Sequence, residues 1–117
     1  MDSISTYRET AVKRSEQLEK ARAQRRTKAW EVARSAATLL KSHYHATRVV
    51  AFGSLTQVDR FNQWSDVDLG VWGVSPADYF EAVARVLDVG GEIKVDLIQA
   101  ERCKPFLEEA LEQGVDL

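Results

Sequence analysis

The spacing of hydrophobic residues changes near residue 46 and divides the chain into a helical half and a sheet-forming half. From Thr6 to His43 there is neither glycine nor proline, and the stretch is filled by Ala, Glu, Lys, Arg, Gln and Leu, all strong helix formers. A helical segment over residues 5–43 is expected, and periodicity leaves open whether it is one helix or two. In its second part Trp30, Ala33, Ala36, Ala37 and Leu40 recur at helical spacing, a stripe suited to packing on a sheet. Its first part offers only Tyr7, Ala11, Leu18 and Ala21, so that half is expected to project, with an apolar partner available only from another chain.

Beyond Ala46-Thr47 the apolar runs are short and β-branched. Arg48-Val49-Val50-Ala51-Phe52, closed by Gly53, reads as a strand. Asp66-Val67-Asp68-Leu69-Gly70-Val71-Trp72 alternates, with Val67, Leu69 and Val71 on one face and both aspartates on the other. Ser75-Pro76 has the form of an N-cap followed by proline at the first helical position, ahead of Tyr79, Phe80, Val83, Val86 and Leu87 at helical spacing. Gly90-Gly91 ends that helix, and Ile93 to Ile98 alternates again with Asp96 opposite Val95 and Leu97. Ala100 to Gln113 reads as a last helix, with Pro105 in its first turn and Gly114 as the stop. The order describes an α/β fold: a small mixed β-sheet packed by helices, with a long N-terminal helical segment and a core over residues 46–117.

Composition narrows the class. At 117 residues, 44% hydrophobic and 29% charged, the chain has the size of one globular domain. No apolar run approaches the roughly 18 to 20 residues of a membrane span, and Met1-Asp2-Ser3-Ile4 lacks the basic-then-apolar order of a signal peptide, so a cytoplasmic protein is expected. The lone Cys103 excludes an intrachain disulfide and, beside Pro105 and Phe106, reads as packing rather than as a nucleophile. Residues 1–28 hold eight basic residues against four acidic ones, leaving six excess negative charges on the remainder for a net charge of −2. That basic stretch reads first as a solvated helix face. The alternative is a docking surface for an acidic partner, in which case reversing Arg22, Arg25 and Arg26 to Glu would weaken the complex. No aromatic residues interleave the basic ones, which argues against direct nucleic-acid binding. His43-Tyr44-His45 has no third ligand nearby and suits a helix end better than a metal site.

The candidate chemistry lies in the second half. Asp66 and Asp68, two residues apart on one strand, project the same way about 6 to 7 Å apart, and divalent cations commonly offset such a pair. Asp96 occupies the matching place on the following strand. Gly53-Ser54, at the end of the first strand, lets backbone approach a phosphate and offers it a hydroxyl and an N–H. A Gly-Ser pair alone is an ordinary turn, and only the combination with the three aspartates gives it weight. Trp30, Trp64 and Trp72 read as core or interface residues, with Trp64 also placed to line a nucleotide pocket.

Together these residues resemble the nucleotidyltransferase superfamily of DNA polymerase beta and kanamycin nucleotidyltransferase, in its minimal single-domain form. The resemblance covers Arg48 to Leu117 and rests on Gly53-Ser54, Ser65-Asp66-Val67-Asp68-Leu69, Val95-Asp96-Leu97-Ile98 and the closing segment Lys104 to Val115. Two departures stand out: eleven residues rather than the usual ten separate Ser54 from Asp66, and the Arg-Gly that commonly follows the serine is missing from Leu55 to Arg60. The resemblance implies the polymerase beta-like fold, two magnesium ions and ATP as substrate. It further implies that Asp66 and Asp68 bind both ions and that Gly53 and Ser54 contact the β and γ phosphates. Asp96 would ligate the second ion and act as general base toward an acceptor hydroxyl that expels pyrophosphate.

Minimal proteins of this family are often antitoxins paired with a helical HEPN ribonuclease toxin, attaching AMP to a tyrosine of the toxin. The resemblance therefore implies a HEPN-family partner protein, and the long N-terminal helix is a candidate contact for it or for a second copy. A chain this short has little room to enclose a small-molecule acceptor. A module that neutralises its partner by contact alone is the alternative function, and transfer to a small molecule or an RNA end is the third.

Overall fold

The stretch free of glycine and proline forms one uninterrupted helix, α1 (Ser3–His43), in the computed structural model, which describes residues 3–117. At about 1.5 Å per residue such a helix is about 60 Å long, which accounts for the longest molecular dimension, 68 Å beside 28 and 18 Å. Its C-terminal half buries Ala29, Val32, Ala33, Ala36, Ala37 and Leu40. The N-terminal half projects as expected, with Tyr7 76% and Leu18 66% exposed. After His43 the chain turns: Tyr44 enters the core and His45 takes a left-handed conformation with φ 58°.

Among the described residues there are four strands, β1 (Arg48–Phe52), β2 (Val67–Trp72), β3 (Val95–Gln99) and β4 (Val115–Asp116), arranged in the sheet as β3-β2-β1-β4. β1 runs antiparallel to β2 and to β4, whereas β2 and β3 are parallel. A parallel pair needs a crossover, and α2 (Pro76–Gly90) supplies it. Its start is the expected one: the Ser75 hydroxyl accepts the Ala77 N–H, and Pro76 opens the helix.

Strand alternation sorts the side chains onto two faces. Val49, Ala51, Val67, Leu69, Val71, Val95 and Leu97 pack with α1 and α2 in the larger core. Val50, Phe52, Ala100 and Leu111 form a smaller cluster on the opposite face under α3 (Pro105–Glu112). α3 lies so close to the sheet that a Cβ at Gly70 would stand 2.4 Å from a Leu111 methyl.

Three expectations need revision. The last helix does not begin at Ala100: a 3₁₀ turn over Ala100–Arg102 is followed by a break, and Lys104 is extended at φ −69°, ψ 149°. Pro105 imposes this, since it lacks an N–H and disfavours a helical residue before it. The tail after Gly114 is not merely a helix stop. Val115–Asp116 pairs with β1, helped by the Arg48 guanidinium donating to the Asp116 carboxylate at 2.7 Å. The second strand starts at Val67, leaving Asp66 as the residue immediately before it.

The segment between β1 and β2 opens with a 3₁₀ turn, Gly53–Thr56, and continues irregularly. It is pinned at two levels. Phe61 is fully buried in the larger core, and Arg22, Arg25 and Arg26 of α1 donate hydrogen bonds to its backbone carbonyls. These three arginines are thus half-buried and turned onto their own chain, where a solvated face was the first expectation for the basic stretch. Among the described residues, no helix is long and apolar enough to cross a membrane.

Phe61 should therefore behave as a core residue despite its place in a loop. Phe61→Ala is expected to destabilise the protein by about 3 to 4 kcal/mol, read as a lowered midpoint in urea unfolding.

Candidate functional site

The parallel pairing of β2 and β3 sets the geometry. Val67 pairs with Val95, Asp68 with Asp96 and Leu69 with Leu97. Asp68 and Asp96 are therefore direct neighbours across the ladder, with Cα atoms about 4.8 Å apart. Both lie on the face opposite the larger core, since Val67, Leu69, Val95 and Leu97 fill that core. Asp66 is half-buried and lies two residues before Asp68 on the same chain. On the other side of Asp68, Phe52 is its partner in β1, so the chain leaves β1 at Gly53 beside the same carboxylate.

Gly53 fits this place for two reasons. Its φ of +74° is one that other residues rarely adopt, and a Cβ there would stand 2.6 Å from Asp68 Oδ2. Ser54 follows, half-buried in the 3₁₀ turn, whose end is tied back by the Thr56 hydroxyl donating to the Gly53 carbonyl at 2.8 Å. Four of the residues singled out from the sequence, Asp68, Asp96, Gly53 and Ser54, thus come from three adjacent strand ends. Asp66 joins them as the residue leading into β2.

The electrostatics record the crowding. Partial burial raises the Asp68 pKa from 3.8 to about 6, with the charges of Asp96 and Asp66 adding to the rise and Lys94 opposing it. Lys94 also pairs with Asp96 at 3.6 Å, both side chains being largely exposed. Sequence alternation places Lys94 two residues before Asp96 on the same strand face, so this partial counter-charge was readable. The donors do not form a ready-made cage: among the described residues, no three His, Cys, Asp or Glu side chains converge closely enough to hold a metal ion. Mutual repulsion of like charges on one face opposes such convergence. The donor chemistry nonetheless fits a hard divalent ion, because all three groups are carboxylates and Asp68 and Asp96 are held adjacent by the sheet.

Tyr79 is a neighbour that the sequence did not single out beyond its place in a helical stripe. From the first turns of α2 it donates its hydroxyl to the Leu97 carbonyl on the free edge of β3, and its pKa is raised by burial and by the Asp96 charge. Trp64, in contrast, is 82% exposed. It lines a cleft of about 500 Å³ with Leu18, Ala21, Arg22 and Arg25. Cys103 packs against the smaller cluster, and His43 Nδ1 lies 3.1 Å from the Ser42 hydroxyl within its own helix end.

No family model and no curated protein matches this sequence.

The raised Asp68 pKa has a consequence for stability. The folded state holds this proton more tightly than the unfolded chain, so the favourable contribution is complete below about pH 3.8, declines as pH rises, and is lost above about 6. Asp68→Asn removes the penalty. At pH 7.5 the variant is expected to be more stable than wild type by on the order of 1 kcal/mol, allowing for solvent screening of a half-exposed group. The difference should vanish near pH 4 in thermal unfolding followed by circular dichroism.

Proposed function

We propose that the chain is a magnesium-dependent nucleotidyltransferase with a polymerase beta-like fold, which moves AMP from ATP to a hydroxyl acceptor. The single observation that carries this reading is the register match of Asp68 with Asp96, beside Gly53 and with Asp66 two residues upstream. Three carboxylates and a glycine-serine turn at adjacent strand ends combine a place for hard cations with a place for phosphate.

In this reading Asp66, Asp68 and Asp96 hold magnesium, which when bound offsets charge on the triphosphate and favours departure of pyrophosphate. The chain's own groups do the rest. Gly53 lets the phosphates approach the backbone closely, and Ser54 donates a hydrogen bond to them. Asp96, the most exposed of the three carboxylates, accepts the proton of the acceptor hydroxyl. That oxygen attacks the α-phosphorus, the bond to the β-phosphate oxygen breaks, and pyrophosphate leaves.

The acceptor proposed is a tyrosine of a HEPN-type toxin, the chain acting as its antitoxin in the cytoplasm. What supports a macromolecular acceptor is the open setting of the carboxylates: Asp96 and Lys94 are largely exposed. Contact-only neutralisation is the competing reading, favoured by the exposed Tyr7 and Leu18 on the projecting helix.

Incubation with magnesium, α-labelled ATP and a co-encoded HEPN protein, followed by intact mass, separates the two. A gain of one or more AMP units on the partner, lost in Asp66→Asn/Asp68→Asn, is expected. A stable complex without any mass gain would leave the contact reading in its place.

A further inference from the structure

We propose that α1 is a working part of the carboxylate site: Arg22, Arg25 and Arg26 form a clamp that fixes the loop before Asp66 and thereby sets the position of that residue. The importance given to Asp66 rests on the nucleotidyltransferase reading above, whereas the clamp itself rests on hydrogen-bond geometry.

The contacts reach the loop at both ends and in its middle. Arg26 Nε donates to the Leu55 carbonyl at 3.1 Å, and Leu55 directly follows Ser54. Arg25 Nη2 donates to the Ser65 carbonyl at 3.2 Å, and Ser65 directly precedes Asp66. Between them Arg22 donates through Nη2 to the Val58 carbonyl at 3.0 Å and through Nε to the Phe61 carbonyl. Positions 22, 25 and 26 are three and four residues apart, so one helical face presents all three guanidinium groups together. Residues ten apart in the loop are read as one surface.

The loop needs such support. Beyond the 3₁₀ turn it has no regular structure, and its own backbone bonding is confined to two small turns, one in which the Gln57 carbonyl accepts the Arg60 and Phe61 N–H groups and one at Asn62–Ser65. There the Asn62 N–H donates to the Ser65 hydroxyl at 3.0 Å, and the Asn62 side-chain oxygen accepts the Trp64 N–H at 2.8 Å. The guanidinium group suits the task because its donors are fixed in a plane, and Arg22 uses two of them on two different carbonyls. Lysine offers no equivalent fork. Arg25 is the least satisfied of the three: its Nε is shut away from solvent with no hydrogen-bond partner. A half-buried guanidinium with one unsatisfied nitrogen is a costly arrangement, and the Ser65 carbonyl is the hydrogen-bond acceptor that this side chain does reach.

The test uses the full chain and two readouts that do not require catalysis. Arg25→Gln removes one contact and spares the other two arginines, and Arg8→Gln, on the projecting half of the same helix, controls for loss of charge. Hydrogen exchange by mass spectrometry should show amides of residues 57–66 exchanging at least about tenfold faster in Arg25→Gln. Peptides covering β1 and β3 should be unchanged, and Arg8→Gln should match wild type. Manganese, added alone and followed by calorimetry, should bind about tenfold more weakly to Arg25→Gln. Arg25→Lys should leave both defects uncorrected. Unchanged loop exchange, or a loosened loop with manganese affinity intact, would overturn the proposal. A wild-type protein that binds manganese yet transfers no nucleotide would defeat the nucleotidyltransferase reading alone, because both readouts for Arg25→Gln remain interpretable.

Discussion

The in-register pairing of Asp68 with Asp96 on parallel strands is the constraint around which the rest of the molecule is organised. Parallel neighbours cannot be joined by a tight turn, so the chain must cross over through α2, and that helix then packs on the larger core with Ala82 and Val86. Alternation along β2 and β3 buries Val67, Leu69, Val95 and Leu97, and in doing so turns both aspartates to the other face. The same hydrophobic packing that stabilises the sheet holds two like charges together. A shift of one residue in the register would separate the aspartates and turn apolar side chains out of the core, so fold and site are specified by one set of residues.

Around this pair the structure leaves space instead of filling it. Gly53 has no side chain where one would strike Asp68, and the smaller apolar cluster of Val50, Phe52, Ala100 and Leu111 covers only part of the face on which the aspartates lie. The result is a partly buried carboxylate with its pKa raised to about 6 and a largely exposed one beside Lys94. Such a site is electrostatically unfavourable by itself and favourable toward a cation. The long helix adds a second kind of support, since its arginines act on the backbone that carries Asp66 and not on the carboxylates themselves.

Local signals in the sequence made much of this legible. Glycine and proline positions, the Ser75-Pro76 helix start and the two alternating runs were enough to place α1, β1, β2, α2 and β3. The faces of Asp68 and Asp96 followed from period-two alternation alone. What was illegible depended on residues far apart in the chain. β4 is two residues long and shows no period; it exists because Arg48 and β1 receive it. Phe61 sits among polar loop residues, and its burial depends on the cavity that the core offers it. Arg22, Arg25 and Arg26 looked like any solvated basic face, because hydrogen bonds to carbonyls 29 to 40 residues away leave no trace in local pattern.

The most direct test of the carboxylate site is a crystal structure of the protein with manganese and a non-hydrolysable ATP analogue, collected so that manganese is identified by its anomalous signal. Manganese bound by Asp68 and Asp96, with analogue phosphates against Gly53 and Ser54, is the expected result. Anomalous density only elsewhere on the surface, with the nucleotide away from the Gly53 turn, would contradict the assignment of these residues to nucleotidyl transfer.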